Sequence, residues 1–166
     1  MIQTFYTDRE IPEHLQKVIE AFKQNSILID SEKDNVDLSS NEVLEIVRKD
    51  LEKISFIVES SFQHKDKIVF KIQTKYHDEL QFHADAYQEE TKTIIEVEAG
   101  RAVVNYQFLK DFYQASVIKE CDYLVIAVRN LYKNTKDFEK VSKFIDGFYN
   151  DDLFKIPLKG VLIIGY

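Results

Sequence analysis

The sequence predicts an α/β (α+β) fold, a mixed β-sheet that joins an antiparallel meander to a β-α-β crossover and is flanked by helices. Three observations carry that prediction. Between residues 54 and 99 apolar and polar side chains alternate with the period of two expected of strands that are half exposed to water. Residues 123–128, Tyr-Leu-Val-Ile-Ala-Val, are continuously apolar instead, the pattern of a strand buried on both faces and parallel to a neighbour. Between these segments, residues 102–119 repeat apolar side chains at helical spacing, so 93–128 reads as a strand–helix–strand crossover.

The elements follow in order. Residues 11–24 predict a first helix with Leu15, Val18, Ile19 and Phe22 on one stripe and Pro12 in the first turn, where a missing N–H is harmless. The short apolar run Ile27-Leu28-Ile29 precedes a polar surface loop over 31–40. Ser39 and Glu42 match a capping box that opens a second helix to about Lys53. Its inward face is Val43, Leu44, Ile46, Val47, Leu51 and Ile54, and Asp50 falls inside that apolar arc. An inward acid needs a partner, either a lysine or backbone amide nearby or membership in a site. Strands are expected at 54–59, 67–74, 80–87 and 93–99, with a turn at 63–66. The crossover helix over 102–119 presents Val104, Phe108, Phe112 and Ala115. A helix at 135–149, through Phe138, Val141, Phe144, Ile145 and Phe148, and a strand at 161–164 complete a single domain over 1–166.

Composition narrows the function classes. The single cysteine, Cys121, excludes an intramolecular disulfide framework and a thiolate zinc site, and its place before the apolar strand favours a buried small side chain over a nucleophile. No stretch approaches the ~20 apolar residues a membrane span requires, and the first ten residues lack the basic and apolar regions of a signal peptide, so a cytoplasmic protein without a membrane partner is expected. A net charge of −7 opposes long-range attraction to nucleic-acid phosphate, a deficit that bound divalent cations and local lysines offset.

The chemistry concentrates in the hairpin 82–99. With Asp85 opposite Glu96, residues 89–92 remain as a four-residue loop, a common hairpin length. Alternation then places Phe82, Ala84, Ala86, Ile95, Val97 and Ala99 on one face, and His83, Asp85, Glu96 and Glu98 on the other with Tyr87 and Ile94 beyond them. Three carboxylates on strands ~4.8 Å apart repel one another unless they face water, keep protons or hold a cation. A solvated strand face would account for them, yet acids are poor strand formers and the strand of Glu96 leads into the buried crossover. Mg²⁺ or Mn²⁺ suits such an oxygen donor set: Asp85 and Glu96 as metal ligands, Glu98 to orient a water or accept its proton.

Asp85, ten intervening residues, Glu96-Val97-Glu98, a helix and an apolar strand ending in Arg129 resemble the PD-(D/E)xK nuclease core over residues 80–130. The resemblance implies a restriction-endonuclease-like fold in which Asp85 and Glu96 bind Mg²⁺ for phosphodiester hydrolysis. Ala84 stands where that family has proline, and Glu98 where it has the water-activating lysine. In lacking that lysine the chain is similar to the BamHI- and BglII-like restriction endonucleases. The resemblance also implies a further upstream acid, for which Asp50 and Glu59 are candidates. The expected function is a Mg²⁺-dependent DNA endonuclease with Asp85, Glu96 and Glu98 as catalytic residues. The alternative is a catalytically inactive nuclease-fold binding or assembly protein. The chain length fits a minimal core, a homodimer or one part of a larger system.

Among the remaining candidates, His83 neighbours Glu98 across the hairpin, either in the site or as a simple pairing residue. His14, His64 and His77 are expected at the surface. Lys65, Asp66, Lys67, Lys71 and Lys75 read either as a phosphate-contacting edge or, preferred, as a sheet edge protected by charge, and Tyr87, Tyr106 and Tyr113 either as base-stacking residues or, sufficiently, as packing residues.

Overall fold

A six-stranded mixed sheet organises the molecule. The computed structural model describes residues 1–7, 10–33, 37–60, 67–100, 102–150 and 155–166, the side chain of Asn105 excepted. The strands are β1 (Ile2–Tyr6), β2 (Ile57–Val58), β3 (Ile68–Ile72), β4 (Leu80–Ala84), β5 (Ala86–Gln88), β6 (Thr93–Glu98), β7 (Tyr123–Val128) and β8 (Gly160–Gly165). The helices are α1 (Glu13–Gln24), α2 (Ser26–Ile29), α3 (Ser40–Lys53), α4 (Gln107–Val117) and α5 (Asp137–Tyr149). The main sheet runs β1-β8-β7-β6-β5-β2, while β3 and β4 form a separate two-stranded sheet.

The centre of the sheet is parallel because helices carry the chain across it. From β6 the chain passes through α4 into β7, and from β7 through α5 into β8, each pair parallel. The outer pairs β1–β8, β5–β6 and β2–β5 are antiparallel. All of β8 and all of β7 after Tyr123 are buried, as continuous apolar strands require when helices cover both faces. On one face α1 and α3 seal a core with Ile95, Val97, Val125, Ala127, Leu162 and Ile164. On the other, α4, α5 and the β3–β4 hairpin enclose Ile94, Leu124, Ile126, Val128, Val161 and Ile163.

Local signals explain the boundaries. The Ser39 hydroxyl accepts from the Glu42 amide while the Glu42 carboxylate accepts from the Ser39 amide at 2.8 Å, so the capping box starts α3 as expected. Pro12 is the N-cap of α1, one residue before the first turn. Gly100 takes a left-handed backbone after β6, and a Cβ there would collide with the Tyr132 ring.

Several elements depart from the sequence expectation. The 54–59 strand is only Ile57–Val58, since Ile54 caps α3 and Ser55 adopts positive φ. The 67–74 strand does not continue the meander: it pairs with β4 outside the main sheet, and β2 pairs with β5 instead. The expected 80–87 strand breaks at Asp85. There the Glu59 amide donates to the Asp85 carbonyl at 2.7 Å and the Val97 amide donates to Asp85 Oδ2 at 2.7 Å. Asp85 thus satisfies two neighbours and frees residues 80–84 to swing over to β3. Phe82 and Ala84 consequently enter the second core, opposite the face shared by Ala86, Ile95 and Val97. The crossover helix begins at Gln107, preceded by a single 3-10 turn that leaves Val104 exposed. The edge strand β1 has no counterpart in the expectation. The 63–66 turn lies outside the described residues.

Candidate active site

The hairpin register is the one that gathers the acids. Ala86 pairs with Ile95 and Gln88 with Thr93, which leaves 89–92 as the loop and puts Asp85 one step on, beside Glu96. Along β6, Ile95 and Val97 point into the core beneath α1 and α3, so Glu96 and Glu98 point to the α4 side. Asp85, Glu96 and Glu98 line a cavity of about 280 Å³ together with Ser40 and Asn41 of α3, His83, and Gln107, Lys110, Asp111 and Gln114 of α4. It sits at the carboxyl end of β6, where the crossover leaves the sheet, the usual place for ligands in open α/β sheets.

Helix α4 contributes an acid that was not anticipated. Asp111 lies among Phe108, Phe112 and Ala115 on the buried face and is 4% exposed. Its sequence signal is the one that singled out Asp50: an acid three residues after one apolar stripe position and four before another. The Glu98 and Asp111 side chains are hydrogen-bonding neighbours, with Gln107 also at Asp111. Among the described residues, Asp111 Oδ2 is buried without a hydrogen-bond partner.

Burial in the cavity, reinforced for Asp85, Glu96 and Glu98 by neighbouring acids, pushes every one of these carboxyls toward its protonated form. Burial lifts Asp85 to about 6, with the Val97 amide pulling back and the Glu59 and Asp111 charges pushing further. Glu96 rises well above its ordinary value, first from burial and then from Asp85, Asp111 and Glu98. Glu98 reaches about 8, again from burial first and then from Asp111 and Asp85. Asp111 is also raised by burial, partly relieved by Glu98, Lys110 and Gln107. Lys110, exposed at the rim of α4, is the cation that lowers all four.

The upstream candidates separate. Glu59 reaches the site through its backbone contact and its charge on Asp85. Asp50 does not line the cavity: it takes the lysine alternative, 2.6 Å from Lys53 Nζ, and accepts from Asn25 Nδ2 at 2.8 Å. His83 does line it. Arg129, at the end of β7, is buried, pairs with Asp37 at 2.8 Å, donates to the Leu38 carbonyl and lies over the Tyr132 ring.

Comparison with protein families, curated proteins and solved structures finds no match for this chain.

Other sequence candidates resolve simply. Cys121 is buried and its thiol pushed up to about 12 by burial, which leaves no thiolate for nucleophilic work. His14 is half-buried rather than at the surface, its ring edge-on to Tyr123, whereas His77 is exposed. Tyr87 packs edge-on against Phe70, Tyr106 packs edge-on against Phe144 while half its surface stays exposed, and Tyr113 is exposed. Lys71 pairs with Glu79 at 2.9 Å, and Lys67 and Lys75 are exposed. His64, Lys65 and Asp66 lie outside the described residues. Among the described residues no helix is long and apolar enough to cross a membrane.

The donor set defines what the cavity can bind. Among the described residues, no group of three or more His, Cys, Asp or Glu side chains is arranged to hold a metal ion. The acids offer oxygen only, in pairs, with one buried oxygen unpartnered. That fits a hard cation such as Mg²⁺, which is commonly held through one or two carboxylates and otherwise by water and substrate phosphate.

Proposed function

We propose that the chain is a Mg²⁺- or Mn²⁺-dependent DNA endonuclease of the PD-(D/E)xK, restriction-endonuclease-like type, with its core in residues 80–130. One observation carries this reading: the hairpin register and the crossover bring Asp85, Glu96 and Glu98 to one cavity at the carboxyl end of β6. The element order β2, β5, β6, α4, β7, an antiparallel set followed by a parallel crossover, supports it.

In this reading Asp85 and Glu96 hold the cation and Glu98 assists the attacking water. A bound divalent cation supplies charge neutralisation on the phosphate and lowers the pKa of a water. The chain's own residues supply placement. The Val97 amide fixes Asp85, so its carboxylate is held at the cavity wall before any ligand arrives. Lys110 stands at the rim where an incoming phosphate would meet a positive charge, a position that offsets in part the glutamate at 98. The overall charge of −7 leaves DNA attraction to such local features.

Supercoiled plasmid incubated with Mg²⁺ or Mn²⁺ should be nicked by the parent and left intact by Glu96→Ala. Nicking that persists in that variant removes the assignment. A specific observation keeps an inactive binding or assembly role as the second reading: the carboxyls satisfy one another in part through Glu98 and Asp111. An inert site predicts that an Asp85/Glu96/Glu98→Ala variant is at least as stable as the parent and that Mg²⁺ changes the melting temperature of neither.

A further inference from the structure

We propose that the groove between α5 and the start of α4 is a base-stacking subsite for single-stranded DNA. It takes an unpaired nucleobase against its aromatic rings and the flanking phosphates on two lysines. The choice of DNA rests on the nuclease reading; the aromatic and cationic make-up of the groove does not.

The groove holds about 720 Å³, the size of a small-ligand site, and is lined by Tyr106, Phe144, Phe148, Lys140, Lys143 and Gly147. Phe144 is 40% exposed and Tyr106 53%, yet neither ring is loose. They meet edge to face at 5.5 Å, and Phe144 lies 5.5 Å from the buried Phe108. Tyr106 also takes a left-handed backbone (φ 53°), unfavourable for a bulky residue and found most often where a side chain serves a site. Gly147 lies within α5 on ordinary helical backbone, where glycine weakens the helix relative to alanine. A Cβ there would meet nothing within 4 Å, so no close neighbour requires the glycine; its missing side chain leaves the groove open. Lys140 and Lys143 are exposed and, among the described residues, make no ion pair, while the adjacent Glu139 is held by Lys136 at 2.7 Å. On a chain of net charge −7, two such cations beside aromatic rings complement a ligand that alternates anions with flat rings, as single-stranded nucleic acid does. The groove is also continuous with the acid cavity. Tyr106 lines the first and Gln107, the next residue, lines the second, so one strand can occupy both.

Fluorescence anisotropy of a labelled thymidine decanucleotide, in EDTA so that no cleavage intervenes, tests this. The parent should bind it about tenfold more tightly than an abasic decanucleotide of equal charge. Tyr106→Ala and Phe144→Ala should each weaken binding by about tenfold. Lys140→Ala/Lys143→Ala should reduce the slope of log affinity against log salt by about 1.4. Gly147→Leu decides the matter without risk to the fold: a better helix former should raise the melting temperature, while its side chain fills the groove and weakens binding at least as much as Tyr106→Ala. An abasic strand bound as tightly as the thymidine strand, or unchanged binding in Gly147→Leu, overturns the subsite. So does a tyrosine-containing acidic peptide that displaces the strand with equal affinity, which would assign the groove to a protein segment. Plasmid nicking by a parent that fails these tests leaves the nuclease reading without the subsite. Strand binding of the expected pattern by a parent that nicks nothing supports the subsite and ends that reading.

Discussion

On one face of β6, Ile95 and Val97 are sealed beneath α1 and α3; on the other, Ile94 is followed by Glu96 and Glu98 at the wall of a cavity. The two faces share a backbone, a ladder and a register, and differ only in the parity of the residue number. One face is closed by aliphatic packing. The other starts closed and opens where α4 leaves the sheet, so its last two side chains meet water, lysine and other acids. A strand can therefore anchor a fold with one set of side chains and strain a pocket with the other, because the first set stabilises what the second does not.

The largest effect should come from making the closed face resemble the open one. Val97→Asp places a lone carboxylate among Val47, Leu51 and Val125, with neither cavity nor cation to receive it. A buried unpaired charge of this kind costs on the order of 4 kcal/mol or more, enough to leave little folded protein. Urea denaturation followed by circular dichroism measures it. A variant that unfolds within about 1 kcal/mol of the parent would mean that the faces are not distinct in the way described.

A second effect sharpens the open face through pH. Asp85 and Glu98 have folded-state pKa values raised to about 6 and about 8 from ordinary values of 3.8 and 4.5. The folded protein thus keeps protons that the unfolded chain releases. Their stabilising contribution is full below the ordinary values and is lost as pH rises through about 6 and then about 8. The charges facing Asp85 are Glu59, Asp111 and Lys110; those facing Glu98 are Asp111, Asp85 and Lys110. The urea midpoint should fall steadily between pH 5 and pH 9. Glu98→Gln should flatten the upper part, and its unfolding free energy at pH 9 should exceed the parent's by on the order of 3 kcal/mol. A parent midpoint that rises over that interval contradicts the burial of these acids.

Much of this contrast was legible before the structure. Asp85 opposite Glu96, the four-residue loop, the capping box at Ser39 and the parallel crossover into Tyr123–Val128 all follow from short-range rules with one dominant solution. What was not legible depended on partners far along the chain. Alternation could not show that Asp85 ends its strand, since the Glu59 and Val97 amides that do so lie 26 residues before it and 12 after it. Nor could it reveal β1, whose neighbour β8 is at the other end of the chain. Asp111 was legible in principle, by the helical-arc test already applied to Asp50, and the test has force only once packing shows which inward acid lacks a cation.

The smallest effect comes from that last pair. Asp50 and Asp111 occupy equivalent positions on the inner faces of α3 and α4, but the Asp50 side chain retains 19% of its exposure and reaches Lys53. Its hydrogen bonds to Lys53 and Asn25 hold its carboxyl below the ordinary value, the reverse of the cavity acids. The sign is therefore opposite: its contribution is present above the ordinary pKa and is lost as pH falls through the folded value. Asp50→Asn should lower the melting temperature slightly at neutral pH, and the difference from the parent should shrink below pH 4. An exposed lysine partner limits the gain, because solvent screens the pair and Lys53 gives up side-chain freedom to make it. Mn²⁺ should raise the melting temperature of Asp50→Asn as much as that of the parent, since Asp50 does not line the cavity. A variant that lost the Mn²⁺ response would join α3 to the site and erase the distinction between a satisfied inward acid and an unsatisfied one.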